Sequence, residues 1–281
     1  MYKRQPEYIA ISADGTQAMV TLQEANAVAI LDIATATFTS VVPLGEKDYS
    51  GLLADFSDRD GAGASNLINP TTGNPVFGLY MPDQIASFES GGQTYYITAN
   101  EGDDRDDFLT TAETIRAGSG SYDLDNTTFA NEAALKTNAA LGRLTVSNAP
   151  GLRGDSNNDT DIDRILAYGA RSFSILDDTG AIVYDSGDMI ETIVASLFPA
   201  SFDDGRSDNK GPEPEGVTTA VIGCCTYAFV GLERSDMVLV FDITNPLSPT
   251  YVAGLDNIGD APEGLVAVSS ADSPSGKPLL L

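Results

Sequence analysis

Tyr227-Ala228-Phe229-Val230-Gly231-Leu232-Glu233 is an apolar strand that runs into a glutamate, and the chain repeats it. Ala18-Met19-Val20-Thr21-Leu22-Gln23-Glu24 and Tyr95-Tyr96-Ile97-Thr98-Ala99-Asn100-Glu101 have the same form. Upstream of each, proline and an acid open another strand, at Pro6-Glu7, Pro82-Asp83 and Pro214-Glu215; Pro262-Glu263 is a fourth copy. Two of the three are followed by a strand closing on Asp-Ile, at Val28–Ile33 and Val238–Ile243. Short strands joined by turns, with an acid at one place in each copy, predict an all-β fold of the β-propeller kind, WD40/YVTN-like. Radial symmetry would then bring the acids to one face.

Working outward, residues 6–45 read as one blade and 214–253 as the clearest one, with a further first strand from 262. Residues 82–101 form a strand pair about Gly91-Gly92, and 172–184 a hairpin about Asp178-Thr179-Gly180. Residues 46–80 and 102–140 read as loop and insertion. Asn131–Lys136 is a candidate short helix, and Met189–Leu197 has helical spacing. Cys224-Cys225 falls at a hairpin turn; adjacent cysteines rarely have disulfide geometry. The opening Met1–Gln5 is basic and reads as a cloning or read-end scar. Leu279-Leu280-Leu281 stops within an apolar strand. The expectation is a single propeller domain over residues 6–281, a fragment cut at its C-terminus and at its N-terminus.

Composition narrows the chemistry. The 281 residues carry 41 acids against 15 Lys and Arg, a net charge of −26, so nucleic acid is disfavoured as a partner. No apolar run reaches the length of a membrane span, so no direct membrane insertion is expected. There is no His. That removes Ser-His-Asp and Cys-His machinery and His-ligated zinc, leaving carboxylates, Lys, Arg, Tyr or a hard metal ion held by oxygen. No organic cofactor is expected.

Three constellations follow. Glu24, Glu101 and Glu233 end second strands, while Glu215 and Glu263 open first strands; acids gathered there would repel one another unless a cation sits between them. The Gly154–Asp163 loop places Asp155, Asn157, Asp159, Asp161 and Asp163 at every second residue, like the start of an EF-hand loop. Thr160 stands where its turn Gly belongs and Leu166 where its bidentate Glu belongs. Calcium binding and a solvated acidic turn both fit. Arg105, Lys210 and Arg234 accompany the acids, either as structural ion pairs or as an anion-binding set.

These stretches resemble the bacterial choice-of-anchor I family. The matches include Thr98-Ala99-Asn100-Glu101-Gly102-Asp103, Leu141-Gly142-Arg143-Leu144, Arg171-Ser172-Phe173-Ser174-Ile175 and Asp208-Asn209-Lys210-Gly211-Pro212-Glu213-Pro214-Glu215-Gly216-Val217. The resemblance implies an exported or cell-surface propeller of the seven-bladed type, in proteins with varied C-terminal anchors. Some relatives are labelled alkaline phosphatase-like or cell-surface glycoprotein-like. Three functions stay open at this point: a calcium-stiffened surface module binding a glycan or cell-surface protein, a metal-dependent phosphoester hydrolase, and a carboxylate-pair glycosidase. The absence of Trp counts against the last. No catalytic residue is assigned.

Overall fold

The computed structural model describes residues 6–106, 109–256 and 258–281. The segment read as a non-native scar, 1–5, lies outside them.

The first blade is an antiparallel meander of β1 (Ile9–Ile11), β2 (Gln17–Leu22), β3 (Ala27–Asp32) and β4 (Thr37–Pro43). Two strands follow where a loop was expected, β5 (Glu46–Asp48) and β6 (Val76–Leu79). The hairpin of β7 (Ile85–Ser90) and β8 (Gln93–Asn100) turns at Gly91-Gly92, as the sequence predicts. The insertion carries β9 (Thr114–Arg116), α1 (Glu132–Leu135), β10 (Thr145–Ser147) and β11 (Ile165–Tyr168). Then β12 (Ser172–Leu176) and β13 (Ile182–Asp185) return to β8 and complete a second blade, ordered β13-β12-β8-β7. Helix α2 spans Met189–Leu197, on the predicted residues. The third blade is β14 (Pro214–Ile222), β15 (Cys225–Leu232), β16 (Met237–Asp242) and β17 (Thr250–Leu255), and the hairpin of β18 (Ala267–Val268) and β19 (Leu279–Leu280) begins a fourth.

The innermost strands pack in chain order, β1 on β7, β7 on β14, β14 on β18. Short polar links stitch them together. Ser87 Oγ donates to Ile11 O at 2.6 Å, and Thr219 Oγ1 donates to Ser87 O at 3.0 Å. Gln84 Oε1 accepts from Val217 N at 2.7 Å and Leu265 N at 3.2 Å, so one side chain joins three blades. Blades in sequence around an axis, each opening with its innermost strand, are a β-propeller. Among the described residues the blades remain separate sheets.

The second blade is interrupted by about 70 residues, whose β9, β10 and β11 join β5 and β6, from between the first two blades, in a separate five-stranded sheet, β5-β6-β11-β10-β9. Its β6–β11 pair is parallel. Tyr49, Val76, Tyr122, Leu124, Leu144, Val146 and Ile165 form a core of its own, while Phe173, Ile175, Ile190, Val194, Val230, Leu239 and Phe241 hold the second and third blades and α2. Helix α2 docks through Ile190 and Val194, one turn apart. Its buried Glu191 meets the 3% exposed Arg171 at 3.3 Å. Arg171 also donates to Ser207 O at 2.8 Å and Asn209 O at 3.0 Å. A buried charge is tolerated only with such a set of partners, and here the set fixes the loop that carries Lys210.

Candidate functional site

The second strands β2, β8 and β15 end in register at the axial rim. Glu7 N bonds Thr21 O and Asp83 N bonds Ala99 O, which makes Gln23 and Glu101 equivalent. In the third blade β15 ends at Leu232, and Glu233 begins a 3-10 turn that closes on left-handed Asp236, matching Gln23 and left-handed Asn26 in the first. The spatial equivalents are thus Gln23, Glu101 and Glu233. Glu24, read from sequence as the first copy, occupies the position of Arg234. A one-residue offset sends it away from the shared face.

Glu215 reaches the rim by another device. Pro214 pairs Leu232 and Val217 pairs Val230, so β14 carries one extra residue there. Such a bulge re-aims a side chain, and Glu215 points at the second-strand acids. Carboxylate oxygens of Glu101, Glu215 and Glu233 all lie within 4.8 Å of one another, the one such acidic group found among the described residues. They line a funnel of about 420 Å3 with Glu7, Tyr8, Gln23, Asp83, Asp103 and Arg234. Glu263 is exposed and outside the group. It does act on Tyr8, whose hydroxyl is pushed up by burial and by Asp83, Glu215 and Glu263.

The backbone holds Glu101 tightly. Gly102 and Gly169, at φ +88° and +80°, pass so closely that a Cβ on Gly102 would lie 2.1 Å from Gly169 N. Only glycine fits such a crossing. Gln23 Nε2 donates to Glu101 Oε2 at 2.7 Å, and Lys210 Nζ bonds Glu101 Oε1. Behind the rim, Glu213 is fully buried, at 2.6 Å from Arg206 and 3.5 Å from both Lys210 and Arg234. Sequence reading missed Glu213, Gln23 and Asp103. The Glu213-Pro214-Glu215 doublet was the available signal: its first acid faces the cations and its second the funnel.

Burial drives the electrostatics. It pushes Glu215 up to about 8, helped by Glu101, Glu233, Asp83 and a hydrogen bond with Glu233. Asp83 is pushed up to about 7 by burial and then by Glu101, Glu7 and Asp103. Asp103 rises to about 6 by burial, although Lys210 pulls it down. Glu233 is also raised, by burial first, with Arg234 opposing. Burial lowers Lys210, but Glu101 and Glu213 more than offset it and leave it raised.

The cations expected to take an anion are already engaged. Arg105 makes two hydrogen bonds to Glu113, at 2.7 and 2.6 Å. Arg234 meets Glu233 at 2.9 Å, and Lys210 serves Glu101 and Glu213. In the acidic loop, Asp155 accepts from Asn158 N and Thr160 N, Asn157 from Asp159 N, and Asp163 from Ser156 N and Oγ. The loop thus turns its oxygens on its own amides. Asp161 rises to about 6 through a hydrogen bond with Asp159. The acidic stretch Asp55–Gly61 is a structural loop: buried Asp55 accepts from Asn69 N at 2.6 Å, and Asp58 pairs with Arg143 at 2.5 Å.

The choice-of-anchor I domain matches residues 3–246, and the chain belongs to that family. It is 29% identical over 180 residues to Gigasin-3a of Magallana gigas, covering 53% of this chain and 62% of that protein. It is 23% identical over 241 residues to the mesenchyme-specific cell surface glycoprotein of Strongylocentrotus purpuratus, covering 72% of this chain and 30% of that protein. The chain therefore spans less than two thirds of either relative. Among solved structures, a protein of unknown function from Desulfotomaculum acetoxidans DSM 771 aligns over all of this chain and 50% of its own, at 10% identity and a TM-score of 0.41. No helix among the described residues is long and apolar enough to cross a membrane.

Proposed function

We propose that this chain is the propeller domain of an extracellular or cell-surface protein, and that its axial funnel holds Ca2+ between Glu101, Glu215 and Glu233. The family membership and the cell-surface name of one relative support the location. The observation that supports the metal is the convergence of three carboxylate oxygens within 4.8 Å, about twice a Ca2+–O distance. Gln23, which keeps a donor on Glu101 where a fourth carboxylate would stand, holds the group to three carboxylates, one of them already paired with Lys210. Waters in the open funnel would complete the six to eight ligands that Ca2+ takes. Mg2+ fits less well, because it demands shorter bonds in octahedral array. The ion would pin two blades together beneath a rim that presents a glycan- or protein-binding face.

Phosphoester hydrolysis is the competing reading. It needs cations able to meet phosphoryl oxygens, and Lys210 and Arg234 are spent on carboxylates. Titration calorimetry with Ca2+ tests the proposal. The expected result is a site lost in Glu215→Gln with Glu233→Gln; equal binding by that variant and the parent overturns it. A phosphatase assay with and without chelator separates the two readings. Chelator-sensitive turnover that disappears in Glu101→Ala with Glu215→Ala would make the protein a hydrolase.

A further inference from the structure

Beside the funnel lies a second, much smaller cavity of about 10 Å3, lined by Glu24, Met81, Asp103, Asp104, Arg105 and Tyr168 among others. That is room for one water-sized occupant. Glu24 is 8% exposed. Its Oε2 is wholly buried and receives no hydrogen bond from the described residues. Glu213 Oε2 also receives no hydrogen bond, but Lys210 and Arg234 stand 3.5 Å from it. Glu113 is bound by Arg105, Glu191 by Arg171, Glu213 by Arg206, and Asp58 and Asp208 by Arg143. A buried carboxylate oxygen with no donor is costly, so such groups take a partner. The cation in this lining, Arg105, is already matched by the two hydrogen bonds of Glu113.

We propose that this cavity is a second cation site, in which Glu24 and Asp103 hold one Ca2+ through carboxylate oxygens. One occupant of so small a space touches both walls. With Glu24, Asp103 and Asp104 in the lining, the field there is negative, which favours a divalent ion over a neutral water. Asp103 also lines the funnel, so the two sites share a wall. The second site stands beside the Glu101–Glu215–Glu233 group and does not require it.

Equilibrium dialysis of the purified chain against Ca2+ counts the ions. Glu24→Gln, which keeps the shape and removes the charge, should bind one ion fewer than the parent. Glu215→Gln with Glu233→Gln should retain the ion that Glu24→Gln loses. Glu24→Asp, which draws the carboxylate back by one methylene, should weaken the second ion by about tenfold. It decides the matter if the Gln variant does not fold. A full count in Glu24→Gln, or unchanged affinity in Glu24→Asp, means that the cavity holds only water and overturns the proposal. Loss of every ion in the Glu215 and Glu233 variant alone would overturn it too. If the funnel itself binds nothing, that variant keeps the parent's count while Glu24→Gln still loses one.

Discussion

At the scale of single residues, the rim acids link folding to pH. Glu215 titrates near 8, Asp83 near 7 and Asp103 near 6 in the folded chain, all raised above ordinary carboxylates. Between about pH 4, where unfolded carboxylates release their protons, and those values, the folded chain holds protons that the unfolded chain has lost. Stability of the metal-free protein therefore falls as pH rises through that window. The expected outcome is a melting temperature, measured without divalent cations, that drops from pH 5 to pH 8. Glu215→Gln should flatten part of that slope, because the amide cannot ionise. A slope identical in parent and variant would place the effect in the general negative charge. Calcium binding carries the opposite sign: it displaces a proton from Glu215, so affinity should weaken as pH falls below 8. Calorimetry at two pH values, in two buffers of different ionisation enthalpy, reads the released proton directly.

At the scale of elements, the first and third blades were legible because each repeats a strand, a tight turn and an apolar alternation within about 40 residues, while the second was legible only as two separate hairpins. Asp14 shows how local that signal is: its carboxylate accepts from Ser12, Thr16 N and Thr16 Oγ1, closing the β1–β2 turn with neighbours only. The five-stranded sheet was not legible. Its strands are three or four residues long, and β6 finds β11 far along the chain, where no turn residue sets the register. The site was half legible for a related reason. Strand-end acids could be counted, but the offset that swaps Glu24 for Gln23, and the bulge that aims Glu215, exist only in the pairing. Helix α2 is different again, since its apolar spacing announces it while Arg171 fixes it. Arg171→Ala leaves Glu191 buried without its cation, and breaking such a pair costs about 3–5 kcal/mol. Urea denaturation should show that loss, and Lys210 should loosen with it, because Arg171 holds the carbonyls of Ser207 and Asn209. A loss below about 1 kcal/mol, the range of exposed pairs, would contradict the buried geometry.

At the scale of the molecule, the question is what joins blades whose ladders do not connect. Between β1, β7 and β14 the links are side-chain bonds such as Ser87 to Ile11 and Thr219 to Ser87. The rim acids work against them: Glu101 comes from the second blade, Glu215 and Glu233 from the third, and their charges repel across the boundary. Lys210 on Glu101 and Arg234 on Glu233 relieve only part of this in a chain of net charge −26. A cation at the rim reverses the sign of the contact, turning repulsion between blades into a shared ligand set. An ion that binds only the folded chain adds about 2.7 kcal/mol at a hundredfold excess over its dissociation constant. Millimolar Ca2+ should therefore raise the melting temperature, and Mg2+ should raise it less. Glu215→Gln with Glu233→Gln should remove most of the gain. Asp155→Ala with Asp159→Ala should remove a smaller part, because that loop already spends its oxygens on its own amides and contributes only where Ca2+ can replace the proton held by Asp161. Superimposable melting curves in Ca2+ and in chelator would show that the blades are held by packing and side-chain links alone, with the rim acids kept apart by protons rather than by metal.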